Sequence, residues 1–449
     1  MTTQCKRAGW LMLCAFFPMM GWGQTKDTLT INLETAIQAA LSDNPVIQIA
    51  DYEVQRVDYS KKEAWHGLIP TLSGSAQINK YLLPAKMSML GNIMDSPTNY
   101  MASANVTLSL PLIVPALWKS IQMTEQQMLL AQEQARASKI TLRNEVTKAY
   151  YQILLAQDSY QALKEGYDLA AQNYKEAKQR FELGLAAEYD YIQAEVQMQN
   201  LIPTLAQVEN GIAQAKSFLK VLMGMELSIP IKVTGCLTDF ENRLTDVANT
   251  LSLSLQNNSD LVQLEIQQQL LNKQLQLQRS MRLPTLAGFG RYGYSGMDTK
   301  AISLNFGGMP MQTSARNDWY TDGLIVGLQL NIPIFSGFTN TIKEKKIQIS
   351  AKTLNVQRAY MEDNLTLQAT VAINNMSKAL EQIDATKKGI QLAQKGYLIS
   401  QERYNNGMAI MLELRSASQA LTQAKLAYSQ AIADYLGAQA DYEKISGKQ

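Results

Sequence analysis

From Pro115 to Leu183 the chain meets no further proline and a single glycine, Gly166. Apolar residues fall at Leu142, Val146, Ala149, Ile153, Ala156, Tyr160, Leu163, Tyr167, Ala170, Tyr174, Ala177 and Phe181. The steps alternate four and three residues, the 3.5-residue period of a coiled-coil seam. At 1.5 Å per residue the predicted helix is about 100 Å long, far beyond the need of one globular domain. It ends at Gly184-Leu185-Ala186-Ala187, a glycine-led turn from which a second seam departs in the opposite sense. A rod of that length is made to reach across something.

Composition excludes several classes of function. The 449 residues carry a net charge of +2, so nothing in the balance calls for nucleic acid or an acidic partner. There is one histidine, His66, and beyond residue 23 one cysteine, Cys236. One chain therefore has no set for a zinc site, a dithiol or a His-dependent triad. No catalytic constellation and no cofactor are expected, and Cys236 reads as a small buried apolar residue.

Residues 1–23 read as a secretory leader. Lys6 and Arg7 precede a mostly apolar run from Gly9 to Trp22, and Gly21-Trp22-Gly23 offers a cleavage point before Gln24. The large Leu13 before Cys14 argues against a lipoprotein signal. The run is short for a bilayer span, and no later segment approaches 18 uninterrupted apolar residues.

The remaining chain predicts a first unit over 24–232, a linker over 233–245 and a second unit over 246–449. In the first, a helix is interrupted at Asn44-Pro45 and resumes to His66. The period then changes to two. Leu72, Gly74, Ala76 and Ile78 alternate with Ser73, Ser75, Gln77 and Asn79, and Ala102, Ala104, Val106, Leu108 and Leu110 with Ser103, Asn105, Thr107 and Ser109. These strands, near 71–81 and 101–112, are as long as a tilted strand crossing a bilayer. Pro111 and Pro115 mark the passage into the long helix.

The programme then repeats. Pro284 follows Pro70 by 214 residues, Pro333 follows Pro111 by 222, and Arg403-Tyr404 and Gly407 follow Arg180-Phe181 and Gly184 by 223. The second unit predicts strands near 285–295 and 323–332 and a hairpin tip near 407, as the first has one near 184. Its return seam runs Leu414, Ala417, Leu421, Ala424, Tyr428, Ala431, Tyr435, Ala438 and Tyr442. The first return helix carries Pro203, where a kink or break is expected.

Four strands cannot stand alone in lipid, because both sheet edges would leave backbone groups unpaired. Copies must share one barrel, and a passage for large cargo needs at least twelve strands, hence three chains. With its strand–Pro–helix junctions at Pro111 and Pro333, its two turns and its opening Leu33-Glu34-Thr35-Ala36-Ile37, the chain resembles the TolC-like outer membrane efflux proteins. The resemblance covers nearly all of the chain beyond the leader. It implies a mixed α and β membrane protein, a trimeric twelve-stranded β-barrel on a long α-helical coiled-coil tunnel. It also implies a homotrimer in outer membrane lipid, docked to a periplasmic adaptor protein and served by an inner-membrane pump of RND or ABC type.

By the same resemblance the hairpin tips at Gly184, Leu185, Gly407 and Met408 contact the adaptor, while helix termination alone also accounts for both glycines. Asp190 and Glu413 stand six residues after their glycines and, with Tyr404, are implied at the periplasmic gate. Both acids also suit the start of a helix. The family's best-known members carry an arginine two residues after the second glycine, where this chain has Ala409. Gly288-Phe289-Gly290-Arg291-Tyr292-Gly293 matches a dinucleotide fingerprint in letters only, since a strand continues through it. Met87, Met89, Met94, Met297, Met309 and Met311 lie in two loops, as an apolar plug or as soft-metal ligands. A passive exit duct for drugs, small molecules or secreted proteins is the leading function. A porin-like uptake channel would not need such rods, and a structural periplasmic coiled coil would not need the strands.

Overall fold

In the computed structural model, residues 29–83, 86–89, 92–96, 98–243, 254–306 and 309–448 are described. The leader and the end of the linker lie outside them. In chain order the elements are β1 (Leu29–Ile31), α1 (Leu33–Asp43), α2 (Pro45–His66), β2 (Thr71–Lys80), β3 (Lys86–Met89), β4 (Asn92–Asp95) and β5 (Thr98–Ile113). There follow α3 (Pro115–Glu182), α4 (Glu188–Leu222), β6 (Ile231–Val233), a 3-10 turn (Leu237–Arg243) and α5 (Ser259–Ser280). The chain closes with β7 (Thr285–Thr299), β8 (Ile302–Phe306), β9 (Met309–Thr313), β10 (Arg316–Asn331), α6 (Thr339–Asn405) and α7 (Met411–Ser446). None of the described helices is long and apolar enough to cross a membrane.

The organising helix α3 spans 68 residues and α6 spans 67, each about 100 Å of rod. Their partners are half as long: α4 has 35 residues and α7 has 36. The rest of each rod is flanked by a 22-residue helix, α2 or α5, which leads into a strand pair. Seam residues Leu142, Val146, Ala149, Ile153, Leu163, Ala170 and Ala177 of α3 are buried, as are Leu414, Leu421, Tyr428, Ala431 and Tyr435 of α7. The larger core gathers α1, α3, α4 and α7 around Ile37, Val146, Ile153, Leu219 and Ile432. Pro203 lies inside α4, which runs on through it without a break. Its surroundings are exposed, so the carbonyl that loses a helix bond can turn to solvent.

Midway along the rods, where each return helix meets a 22-residue helix, the chain builds the same joint twice. Asn44 caps α2 by accepting from the Val46 amide at 2.7 Å, and its buried Nδ2 donates to the Leu222 carbonyl at the end of α4, also at 2.7 Å. Asn258 caps α5 and donates to the Ile445 carbonyl near the end of α7 at 2.9 Å. Gly224 and Gly447 follow those return helices with φ of +67° and +69°. A Cβ on either would run into the carbonyl of Asp43 or Asn257, well inside van der Waals contact. One asparagine thus starts one helix and finishes another. The stretch leading into the linker adds a pairing not evident in the sequence. There β6 joins β1 in parallel, and Tyr150 donates to the Thr234 carbonyl at 2.6 Å.

The four long strands form one sheet in the order β10-β7-β5-β2, antiparallel throughout. The register sorts the side chains, with Phe289 and Ile325 as large apolar exceptions on the polar face. Leu72, Val106, Leu108, Leu110, Leu324, Val326 and Leu328 share one face; Ser73, Ser75, Asn105, Thr107, Ser109 and Gln329 share the other. The apolar face is uncovered, with Leu72 at 72% and Val326 at 76% exposure. β2 and β10 are free edges in the single chain.

The joints predict an asymmetry between glycines. Gly224→Ala, with φ > 0 and a backbone carbonyl in its way, should lose about 1–3 kcal/mol. Gly74→Ala, with open space around its Cβ, should be close to neutral. Circular dichroism melts of the purified protein compare the two, and equal midpoints would refute the joint.

Candidate functional site: the hairpin tips

Both hairpins end in the same backbone motif. The Leu185 amide donates to the Arg180 carbonyl at 2.7 Å and the Gly184 amide to the Phe181 carbonyl at 2.9 Å. In the second hairpin Met408 donates to Arg403 at 2.7 Å and Gly407 to Tyr404 at 3.1 Å. These paired bonds close a Schellman turn, which needs a left-handed residue; Gly184 and Gly407 supply it at φ +72° and +71°. The turns leave Leu183, Leu185, Met408 and Ile410 largely exposed, an apolar end where a solvated loop would be polar. Leu183 and Ile410 escaped the sequence reading, although apolar residues inside a turn were the signal for them.

Asp190 and Glu413 occupy the third position of α4 and α7, in the first turn of each. Their backbone amides make matching bonds, to Ala187 and Ile410, each at 3.1 Å. Their side chains differ in setting. Arg403 Nη1 lies 3.7 Å from a Glu413 oxygen in an exposed pair, so Glu413 has a cation beside it although Ala409 is not arginine. Asp190 has no ion pair among the described residues.

Tyr404 is buried between the hairpins, and Arg180 fastens it. The guanidinium lies 4.7 Å from the tyrosine ring, donates to the Tyr404 carbonyl at 2.9 Å and reaches the Asn405 carbonyl at 3.1 Å. Arg180 thereby ties the first hairpin to the tip of the second. Sequence reading found Arg180 as a repeat landmark and gave it no role, because a contact across more than two hundred residues leaves no local pattern. Burial pushes the Tyr404 hydroxyl above its ordinary pKa; Arg180 pulls against the rise, and Asp190 and Glu176 reinforce it.

Packing near this end is incompletely satisfied. Asn173 Oδ1, Glu176 Oε2, Tyr397 OH, Tyr404 OH and Arg415 Nε are buried without a hydrogen-bond partner among the described residues. Each such atom costs about 1–3 kcal/mol relative to a paired one. They surround the smaller core of Ala177, Ala194, Tyr397, Met411 and Leu414. The tip end is accordingly the less firmly closed part of the rod.

Elsewhere, β7 continues through Gly288–Gly293, so no helix opens there for a phosphate. Met297 accepts from the Thr98 hydroxyl at 3.3 Å. The side chains of Met87, Met89, Met94, Met309 and Met311 lie outside what the structure describes. No cluster of metal-ligating His, Cys, Asp or Glu occurs among the described residues.

The family model for outer membrane efflux proteins matches residues 36–225 and 250–448. The chain is 23% identical over 337 residues to the outer membrane protein TolC of Vibrio cholerae, covering 74% of each. To TolC of Escherichia coli K12 it is 21% identical over 350 residues, 74% of this chain and 67% of that one. Among solved structures, CusC superposes with a TM-score of 0.74 at 19% identity, covering 94% of both chains. The Campylobacter jejuni CmeC outer membrane channel gives 0.71 at 16%, covering 92% of this chain and 85% of its own. With strand pairs, rods and Schellman tips matched along both halves, the chain belongs to the outer membrane efflux protein family, as a TolC-like channel of the outer membrane.

Proposed function

We propose that the protein is a passive exit duct made of three copies, with a twelve-stranded barrel in the outer membrane and a helical tunnel in the periplasm. The observation that carries this reading is a four-stranded sheet with two free edges and an exposed leucine face, mounted on rods of about 100 Å. Free edges are untenable in lipid, so copies must pair β2 with β10. Two copies would give eight strands and a filled interior; three give a passage. A second seam supports the count. Ile342, Ile349, Val356, Tyr360, Leu367 and Val371 lie exposed along α6 at steps of seven and four, a stripe suited to another copy. The helix–strand–strand–rod–return series, met twice with matched joints, is read as a duplicated unit. The porin alternative does not account for such rods, nor the structural coiled coil for the leucine-faced sheet.

The apolar tips at Gly184, Leu185, Gly407 and Met408, extended by Leu183 and Ile410, are the proposed docking end for a periplasmic adaptor. Energy comes from an inner-membrane pump of RND or ABC type, and the cargo class is drugs, small molecules or secreted protein. Asp190, Tyr404 and Glu413 form the proposed periplasmic gate, with Asp190 the carboxylate least neutralised by its own chain.

Three outcomes test this. Purified protein should run as a trimer in detergent by light scattering; folded monomers alone would remove the shared barrel. Gly184→Trp or Gly407→Trp forces a bulky residue into a left-handed turn. Export in cells should then fail while trimers still reach the outer membrane, and normal export from both variants would move docking elsewhere. In planar bilayers Arg180→Ala should raise single-channel conductance several-fold by freeing Tyr404. A carboxylate ring selects cations, so Asp190→Asn should weaken block by periplasmic trivalent cations more than Glu413→Gln does. Unchanged conductance and unchanged block would confine these residues to their helices.

A further inference from the structure

Along the leucine band of the sheet there is one charged residue, Arg291 of β7. Its cross-strand neighbours are Thr107 of β5 and Ile325 of β10, and Thr107 in turn faces Ser73 of β2. The other charged residues of the four strands are Lys80, Asp298, Arg316, Asp318 and Asp322, all beyond the Gly323 level toward the β3–β4 and β8–β9 hairpins. Gly290 and Tyr292 belong to the leucine face, so alternation sends Arg291 to the face of Ser73, Asn105, Thr107 and Ser109. Energetics agrees, since an arginine on the lipid face at mid-depth costs about 2–4 kcal/mol. Arg291 is exposed and has no ion pair or hydrogen bond among the described residues.

We propose that Arg291 forms an anion-binding ring inside the barrel, one guanidinium from each copy at a single level near mid-strand. This rests on the three-copy duct. Guanidinium presents a planar fork matched to carboxylate and phosphate, and rings of arginine favour anions in pores. The surrounding hydroxyls and amides leave the three charges uncompensated while offering hydrogen bonds to an oxyanion. Phe289, two residues back on the same face, lies against Gly327, where a Cβ would stand 2.8 Å from the ring. A half-buried aromatic ring therefore sits one step below the cation. The ring suits organic anions with several carboxylates or phosphates, those bearing an aromatic ring best.

The test is single-channel recording of the full-length protein in planar bilayers, with citrate added on the barrel side. Wild type should be blocked at millimolar citrate. Arg291→Gln should need at least tenfold more, and Arg291→Lys should stay within a few-fold of wild type. As a second route, Arg291→Cys in a Cys236→Ser background should regain citrate block when a cationic thiol reagent restores the charge. Conducting trimers whose citrate block is the same in wild type and Arg291→Gln, or is not restored by that reagent, would overturn the ring and leave the duct intact. Monomeric, non-conducting protein would overturn the shared barrel and the ring with it.

Discussion

The structure depends on where its backbone hydrogen bonds can end. In the sheet, β7 and β5 are paired on both sides, but β2 and β10 each show one open row of N–H and C=O groups. In water such edges are a hazard; in hydrocarbon each unsatisfied group costs several kcal/mol. The leucines beside those edges leave no aqueous alternative, since they are exposed across the whole face. An exposed leucine face suits an outer membrane channel, and in the duct proposed above further copies would cover the open edges. In that duct the rods would extend the passage beyond the sheet.

Each long rod is flanked by shorter helices laid end to end, and the paired asparagine joints splice them. Asn44 and Asn258 each bond the end of one helix and cap the start of the next with a single side chain. Gly224 and Gly447 let the backbones cross where any side chain would collide with a carbonyl. Tyr150 and the β1–β6 pair then brace the same level. The buried polar groups here are satisfied, in contrast to those near the tips.

That contrast also explains what the sequence disclosed. Period 3.5 and period 2 are local, so rods, strands and both glycine turns were legible from residues such as Leu142 to Phe181 and Leu72 to Ile78. The joints were half legible: Asn44-Pro45 marked an interruption, but not that its amide reaches Leu222, which lies 178 residues away. The Arg180 clamp on Tyr404 spans 224 residues and has no periodic trace. Pro203 misled in the other direction. Proline forbids one hydrogen bond, yet on an exposed stretch of α4 the helix continues past the loss. Asp190 and Glu413 looked equivalent in spacing, and Arg403 separates them only in three dimensions.

The distribution of unsatisfied groups bears on how such a rod could open. Five of the eight buried, unpartnered side-chain atoms found among the described residues belong to Asn173, Glu176, Tyr397, Tyr404 and Arg415, all toward the tips. Midway along the rods Asn44 and Asn258 have their amides bonded, and the other three unpartnered atoms belong to Gln126, Gln268 and Glu344 on the sheet side. Separating the hairpins at the joints would break paired, buried hydrogen bonds, whereas separating them at the tips would expose atoms that gain partners from water. If the tips act as the proposed gate, this difference favours opening there over separation at the joints. Arg180 holds by charge-assisted bonds an interface that is otherwise poorly satisfied.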